Sequence, residues 1–192
     1  MESFDNNAEK TLNLFLEIAS MKIENEASGP SVYASQLYKW LELIDACNVM
    51  VGGMPLSQDK QHQTVSKALG GDSKKAKALL ESIQKNTLAC IDSFKSNETI
   101  TLVYPVLPSI KYDKDGTRFF HYGVSATGSP NTQEVNWVIF LNLVGHMLLE
   151  PDRFRVCPKC GKHFYQYQRK SQKYCSRSCS DMGRSGKSYL DA

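Results

Sequence analysis

Cys157-Pro-Lys-Cys160 and Cys175-Ser-Arg-Ser-Cys179 stand near the C-terminus, with fourteen residues between them. Two short cysteine pairs at such a separation are typical of a zinc site. A CxxC turn presents two thiolates to one metal, and a second pair about one hairpin further along completes a tetrahedron. The spacing therefore predicts one structural Zn²⁺ ion, bound by Cys157, Cys160, Cys175 and Cys179.

Two other readings of these residues stay open. His163 follows Cys160 by three positions and could replace one cysteine as a ligand. The first pair alone could also be a redox dithiol, although the second pair argues against this. A closed set of four cysteines leaves no coordination position for substrate, and the motifs of zinc proteases and deaminases are absent from the sequence. We therefore do not expect an enzyme.

The residues around the pairs predict a small fold built on the metal. We expect residues 163–174 to form a hairpin, the second pair to begin a helix, and the whole to resemble a treble clef. Four aromatic residues would pack around the metal: Phe164, Tyr165, Tyr167 and Tyr174. This segment is poor in aliphatic residues, so zinc would supply its folding free energy, about 10–16 kcal/mol in finger-like sites. Cys175→Ser should then melt this segment and leave the rest folded.

The charge is unevenly distributed along the chain. Residues 152–192 carry ten Lys or Arg and three acids, a net of +7, which leaves −4 for residues 1–151 out of the total of +3. A basic end on a mildly acidic body favours a partner that carries phosphates. The residues expected to meet nucleic acid are Arg169, Lys170, Lys173, Arg177, Arg184 and Lys187.

The pattern of the first 151 residues predicts a mostly helical domain with a small β-hairpin insert. Together with the C-terminal finger, this predicts an α+β fold. Apolar residues recur at helical spacing over 8–23, around Trp40 and over 134–149. Ser57 and Asp72 are expected to cap two further helices, the second with a regular apolar stripe from Ala76 to Phe94. Strands are expected at 100–104, interrupted by Pro105 and Pro108, and at 117–124, with an Asp-Gly turn at 113–116.

Several function classes are disfavoured by composition. The sequence has no apolar run of membrane-spanning length and no visible secretory signal, so we expect a cytoplasmic protein without a membrane partner. Cys47 and Cys90 stand alone within helical patterns and are expected to be buried, small apolar residues.

The C-terminal segment resembles a known family. Residues 155–164, Arg-Val-Cys-Pro-Lys-Cys-Gly-Lys-His-Phe, and 173–184, Lys-Tyr-Cys-Ser-Arg-Ser-Cys-Ser-Asp-Met-Gly-Arg, are similar to the CGNR zinc finger. In that family the finger follows a mostly helical ABATE domain in bacterial proteins regarded as stress-induced transcription regulators. Here Cys179 is followed by Ser180-Asp181-Met182 instead of Gly-Asn-Arg, so the metal scaffold carries over better than the specific contacts.

Two functions from different classes follow. The first is a transcription regulator whose basic finger contacts DNA, with RNA as another possible target, and whose N-terminal domain senses a ligand or forms a homodimer. The second is a protein-interaction protein in which the finger has a purely structural role. Charge reversal of the basic residues distinguishes the two.

Overall fold

A computed structural model of the chain describes residues 6–23, 30–51, 57–69, 72–96, 106–112, 118–124, 132–167 and 171–184. This part of the chain is mostly helical, with one long and one short antiparallel hairpin. The helices are α1 (Asn6–Ala19), α2 (Pro30–Met50), α3 (Gln58–Leu69), α4 (Ser73–Ser96), α5 (Thr132–Met147) and α6 (Arg177–Arg184). The strands are β1 (Val106–Tyr112), β2 (Arg118–Val124), β3 (Phe154–Val156) and β4 (His163–Tyr165).

The helix ends follow the capping residues. The Ser57 hydroxyl accepts a hydrogen bond from the Lys60 N–H at 3.4 Å, and the Asp72 carboxylate accepts one from the Lys74 N–H at 2.9 Å. Both predicted caps are confirmed. The first helix ends at Ala19, four residues before the predicted end, and the Met21 N–H closes a tighter turn on the Ile18 carbonyl at 3.2 Å.

The long hairpin pairs β1 with β2, from Val106 opposite Val124 to Tyr112 opposite Arg118. The returning strand lies where it was predicted, but Pro108 does not interrupt the first strand, since it pairs with Tyr122 inside β1. In a two-stranded hairpin every second backbone N–H points away from the partner strand. At such a position a proline removes no hydrogen bond between the strands. The predicted strand at 100–104 and the turn at 113–116 lie outside the described residues.

One hydrophobic core joins the helices. Helix α1 packs on α2, and α4 packs on α5, with α5 also lying against β2. Side chains that are almost completely buried fill the space between them, namely Leu12, Phe15, Ile18, Tyr33, Leu37, Leu43, Leu80, Ile83, Ile91, Phe140 and Leu143. Cys47 and Cys90 are both buried in this core, as predicted. Among the described helices, none combines the length and hydropathy that crossing a bilayer requires.

The C-terminal segment continues directly from α5. A short 3₁₀ helix, Pro151–Arg153, leads into β3, which pairs antiparallel with β4, from Phe154 opposite Tyr165 to Val156 opposite His163. We expected residues 163–174 to form a hairpin. Within the described residues β4 pairs with the preceding strand β3, across the turn that carries the first cysteine pair, while residues 168–170 of the predicted hairpin lie outside them. The division of the chain into domains at 151 and 152 stays a prediction.

Candidate metal centre

The first cysteine pair lies in the tight turn between β3 and β4. The Cys157 N–H donates to the Lys162 carbonyl at 2.9 Å, and the Gly161 N–H donates to the Cys157 carbonyl at 2.9 Å. Gly161 has a φ of 69°, and an added Cβ there would meet no atom within 4 Å. Glycine is therefore favoured at this position by backbone conformation rather than by space.

The second cysteine pair lies at the start of α6. Cys175 precedes the helix, and Cys179 is in its first turn. The Ser176 hydroxyl accepts a hydrogen bond from the Cys179 N–H at 3.2 Å, so Ser176 is the N-cap. The prediction that the second pair begins a helix is confirmed.

The four sulfur atoms of Cys157, Cys160, Cys175 and Cys179 lie within 4.8 Å of one another. Cys160 Sγ is 3.5 Å from Cys175 Sγ, which is 3.7 Å from Cys179 Sγ. Four sulfurs at about 2.3 Å from a central ion in a tetrahedron would be about 3.8 Å apart. The four cysteines could therefore hold a metal ion with little rearrangement.

His163 lies beside this cluster but is not part of it. Its backbone N–H donates to Ser20 Oγ at 2.7 Å. Burial lowers the pKa of its imidazole, while the charge of Asp92 on α4 raises it and that of Lys95 lowers it. The electrostatic surroundings of His163 therefore belong to the helices, and the geometry favours four cysteine ligands over a set that includes His163.

The thiols do not ionise alike. Burial opposes ionisation of Cys157, but the backbone N–H groups of Cys175, Cys160 and Lys159 lower its pKa to about 6. Burial raises the pKa of Cys160, and burial together with the neighbouring thiols raises the pKa of Cys175 to about 12. The first thiolate therefore forms at Cys157, and a bound cation would favour ionisation of Cys160 and Cys175 as well.

A small apolar cluster surrounds the sulfurs. It contains Phe164, Tyr174 and Met182 with the buried cysteines. Two of the four aromatic residues expected here, Tyr165 and Tyr167, instead join the main core of the helices. The reason is the alternation of a β-strand, in which neighbouring side chains point to opposite faces, so Phe164 and Tyr165 cannot both face the sulfurs.

The residues predicted to contact nucleic acid are only partly described. Lys173 is exposed, and Arg177 has 96% of its side chain exposed and lies 3.9 Å from Asp181, one helical turn away. Arg184 is the last residue of α6, but its side chain is not described. Arg169, Lys170 and Lys187 lie outside the described residues.

The structure adds basic residues at the first cysteine pair. Arg155 on β3 and Lys162 in the turn are both exposed, and Lys159 is half-buried between the first two cysteines. They belong to the basic charge of residues 152–192, but all the residues predicted to contact nucleic acid lie from position 169 onward. Each of these three residues lies within two positions of a cysteine, and this spacing could have identified them in the sequence as part of the basic surface.

Neither a protein-family model nor a curated protein matches this chain. The case for a function therefore depends on the geometry and charge of the site.

Proposed function

We propose that this protein is a zinc-dependent nucleic-acid-binding protein, with DNA as the first target to test and transcription regulation as its role. The observation that supports this most is the position of exposed cationic side chains directly around the four-cysteine cluster. Lys162, Lys173 and Arg177 are each two residues away from a cysteine of the cluster, and all three are exposed.

Zinc is the metal that this donor set favours. Thiolate ligands in a tetrahedral arrangement select zinc or iron–sulfur centres. A single ion fits sulfurs that all lie within 4.8 Å of one another. Four protein ligands would close the coordination sphere, so the ion would have a structural role and leave no position for a substrate. The order β3, cysteine turn, β4, Cys175 and α6 is consistent with a treble-clef-like finger.

The electrostatics of the site suit a phosphate backbone. The four sulfurs are close together, so cations within two residues of them share one small region of surface. Such a cluster of lysine and arginine attracts phosphates and releases their counterions, which makes the binding depend on salt. An arginine at the start of α6, such as Arg177, could also reach a base edge.

The direct test is binding of the zinc-loaded full chain to mixed duplex DNA over a series of salt concentrations. If about five phosphates are contacted, log affinity should fall with log salt at a slope of roughly −4 to −5. Chelation of zinc should abolish the binding. Steep salt dependence that survives complete zinc removal would contradict the role of the finger, and absence of binding at low salt would contradict the proposal.

Charge reversal identifies the surface that binds. Lys162→Glu, Lys173→Glu and Arg177→Glu together should abolish DNA binding while zinc stays bound. The matched control reverses three exposed lysines on other helices, Lys60 and Lys67 on α3 and Lys85 on α4, and should leave most of the affinity intact. Equal losses in the two variants would mean that net charge alone, and not this surface, determines binding.

A second candidate is a protein-interaction role with a structural zinc site. Two large apolar side chains near the short hairpin are exposed, Leu148 at 82% and Val156 at 51%. Exposed apolar residues beside a rigid element suit a protein partner better than a phosphate backbone. If DNA does not bind, this candidate takes precedence. Kinship with the CGNR finger fits the first candidate and rests on the cysteine pairs and the residues beside them.

A further inference from the structure

The short strand β4 has one face on the cysteine cluster and one face on the helices. Phe164 is 7% exposed and packs with Cys157 and Cys179. Its neighbour Tyr165 is 6% exposed and belongs to the main core. A single three-residue strand is therefore shared by the candidate metal centre and the helical body.

The face toward the helices is aromatic and well packed. The ring of Tyr165 lies 5.1 Å from that of Phe154, its partner in the β-ladder. Phe154 is 2% exposed, and its ring lies 6.0 Å from Phe94 on α4 and 6.1 Å from Phe140 on α5. The short hairpin thus packs its aromatic face against both α4 and α5.

Hydrogen bonds attach the same hairpin to the helices. The His163 N–H donates to Ser20 Oγ at 2.7 Å, and the Ser20 hydroxyl in turn donates to the Leu16 carbonyl of α1 at 2.8 Å. The Tyr165 hydroxyl accepts the Glu150 N–H, just after α5, at 3.0 Å. The hairpin therefore contacts the ends of three helices.

The other end of this hairpin is the turn that carries Cys157 and Cys160. Two strands of three residues are too short to form a stable hairpin alone. A metal held by both cysteines would fix the turn, while its absence would let the ladder from Val156 and His163 to Phe154 and Tyr165 loosen. Loosening would withdraw two aromatic side chains from the helical core.

We propose that metal occupancy of the four-cysteine cluster is transmitted through the β3–β4 hairpin to the helical body, so that metal binding stabilises α1, α4 and α5 as well as the C-terminal segment. The expectation from sequence was the opposite, namely that loss of the metal melts the C-terminal segment alone. This inference does not depend on nucleic-acid binding. Under this proposal, the stability of the N-terminal helices rises and falls with the amount of metal that is available to the cysteines.

The test compares the full chain loaded with Zn²⁺ and stripped by a chelator under reducing conditions. Helical circular dichroism reports the body, since α6 contributes only eight of the helical residues. With free Zn²⁺ at about 100 times its Kd, removal of the metal should lower the melting temperature of the helical signal by roughly 5–10 °C. Hydrogen exchange of the α4 and α5 amides should accelerate in parallel.

Variants separate coupling from general loss of stability. Tyr165→Ala should shrink the metal-dependent shift, while Zn²⁺ still binds, as measured by competition with a chromogenic chelator. Tyr165→Phe keeps the ring and should retain most of the shift. Cys47→Ala, in the core but outside the cluster, should lower the melting temperature equally with and without metal.

The comparison of loaded and stripped wild-type protein needs no variant, so a Tyr165→Ala protein that fails to fold does not affect it. Unchanged melting and unchanged exchange of α4 and α5 after complete zinc removal, with exchange faster only in the C-terminal segment, would overturn the inference. Failure of the reduced chain to bind Zn²⁺ would overturn it too.

Discussion

Single side chains around the cysteines show how closely the segment is packed. Gly183 on α6 faces the ring of Tyr174, and an added Cβ would lie 2.5 Å from the tyrosine hydroxyl. Gly183→Ala should therefore displace Tyr174 from the apolar cluster at a cost of about 1–3 kcal/mol, which weakens zinc binding by roughly 5- to 150-fold. Competition with a chelator measures the affinity.

The control for this change is Tyr174→Leu, which makes room for the new methyl group. In the Gly183→Ala background it should recover part of the lost affinity, because the clash is removed. Gly161→Ala provides the contrast, since it strains only the backbone at a φ of 69° and creates no clash. Unchanged zinc affinity in Gly183→Ala would contradict the close contact between α6 and Tyr174.

Leu148 sits directly after α5 with a φ of 48° and a side chain that is 82% exposed. A left-handed conformation costs an L-residue roughly 1–2 kcal/mol, and glycine avoids most of that cost. Leu148→Gly should raise the free energy of unfolding by about 0.5–1 kcal/mol in denaturant titration. A loss of stability would instead show that the leucine side chain makes stabilising contacts.

The thiol pKa values predict how zinc binding depends on pH. The pKa values of Cys160 and Cys175 are raised, the latter to about 12, so both thiols must lose protons when metal binds at neutral pH. Affinity should thus fall as the pH is lowered, by about tenfold per pH unit for each proton that metal binding releases. The fall should become steeper below about pH 6, where Cys157 is also protonated. Affinity that does not change with pH would contradict thiolate ligation.

The packing of helices α2, α4 and α5 depends on one buried amide. Asn136 on α5 is fully buried, its oxygen accepts the Trp40 indole N–H at 3.1 Å, and its nitrogen donates to Ile83 and Thr87 on α4. Asn136→Ala should lower the free energy of unfolding by about 2–4 kcal/mol, because it leaves a cavity and unpaired polar groups. Chemical denaturation measures this loss.

A matched control lies on the same helix. Asn142 is also buried, but its amide donates to the Val138 carbonyl within α5. Asn142→Ala should therefore cost less than Asn136→Ala. A double-mutant cycle with Trp40→Phe should show coupling for Asn136→Ala but not for Asn142→Ala. Equal losses in the free energy of unfolding for the two asparagine variants would contradict the proposed role of Asn136.

The helices were predictable because their signals are local. Apolar spacing, Ser57 and Asp72 indicated α3 and α4 before any contact was known. The pairing of β3 with β4 was not predictable in the same way. Strands of three residues carry almost no periodicity, and β4 also contacts α1, which is far away in the sequence. The strand that contains Pro108 was not predicted, because Pro105 and Pro108 indicate an interruption of a strand more strongly than the residues around them indicate its continuation.

Across the full chain, the ligand cluster was the part of the site that sequence could identify. Spacing alone selected the four cysteines whose sulfurs the fold brings within 4.8 Å. The sequence could not show that β4 contributes one side chain to each of the two apolar clusters. Phe164 and Tyr165 are both large aromatic residues, and only their contacts in the fold distinguish them. Zinc as the metal and DNA as the partner stay predictions, as does a cytoplasmic location.

Co²⁺ titration of the reduced full chain shows whether these four cysteines bind one metal ion. We expect saturation at one Co²⁺ per chain, visible bands of a tetrahedral thiolate complex, and displacement of Co²⁺ by Zn²⁺. Cys47→Ala should leave the spectrum unchanged, and Cys179→Ser should weaken it. A featureless titration, or the pale spectrum of octahedral Co²⁺, would contradict the claim.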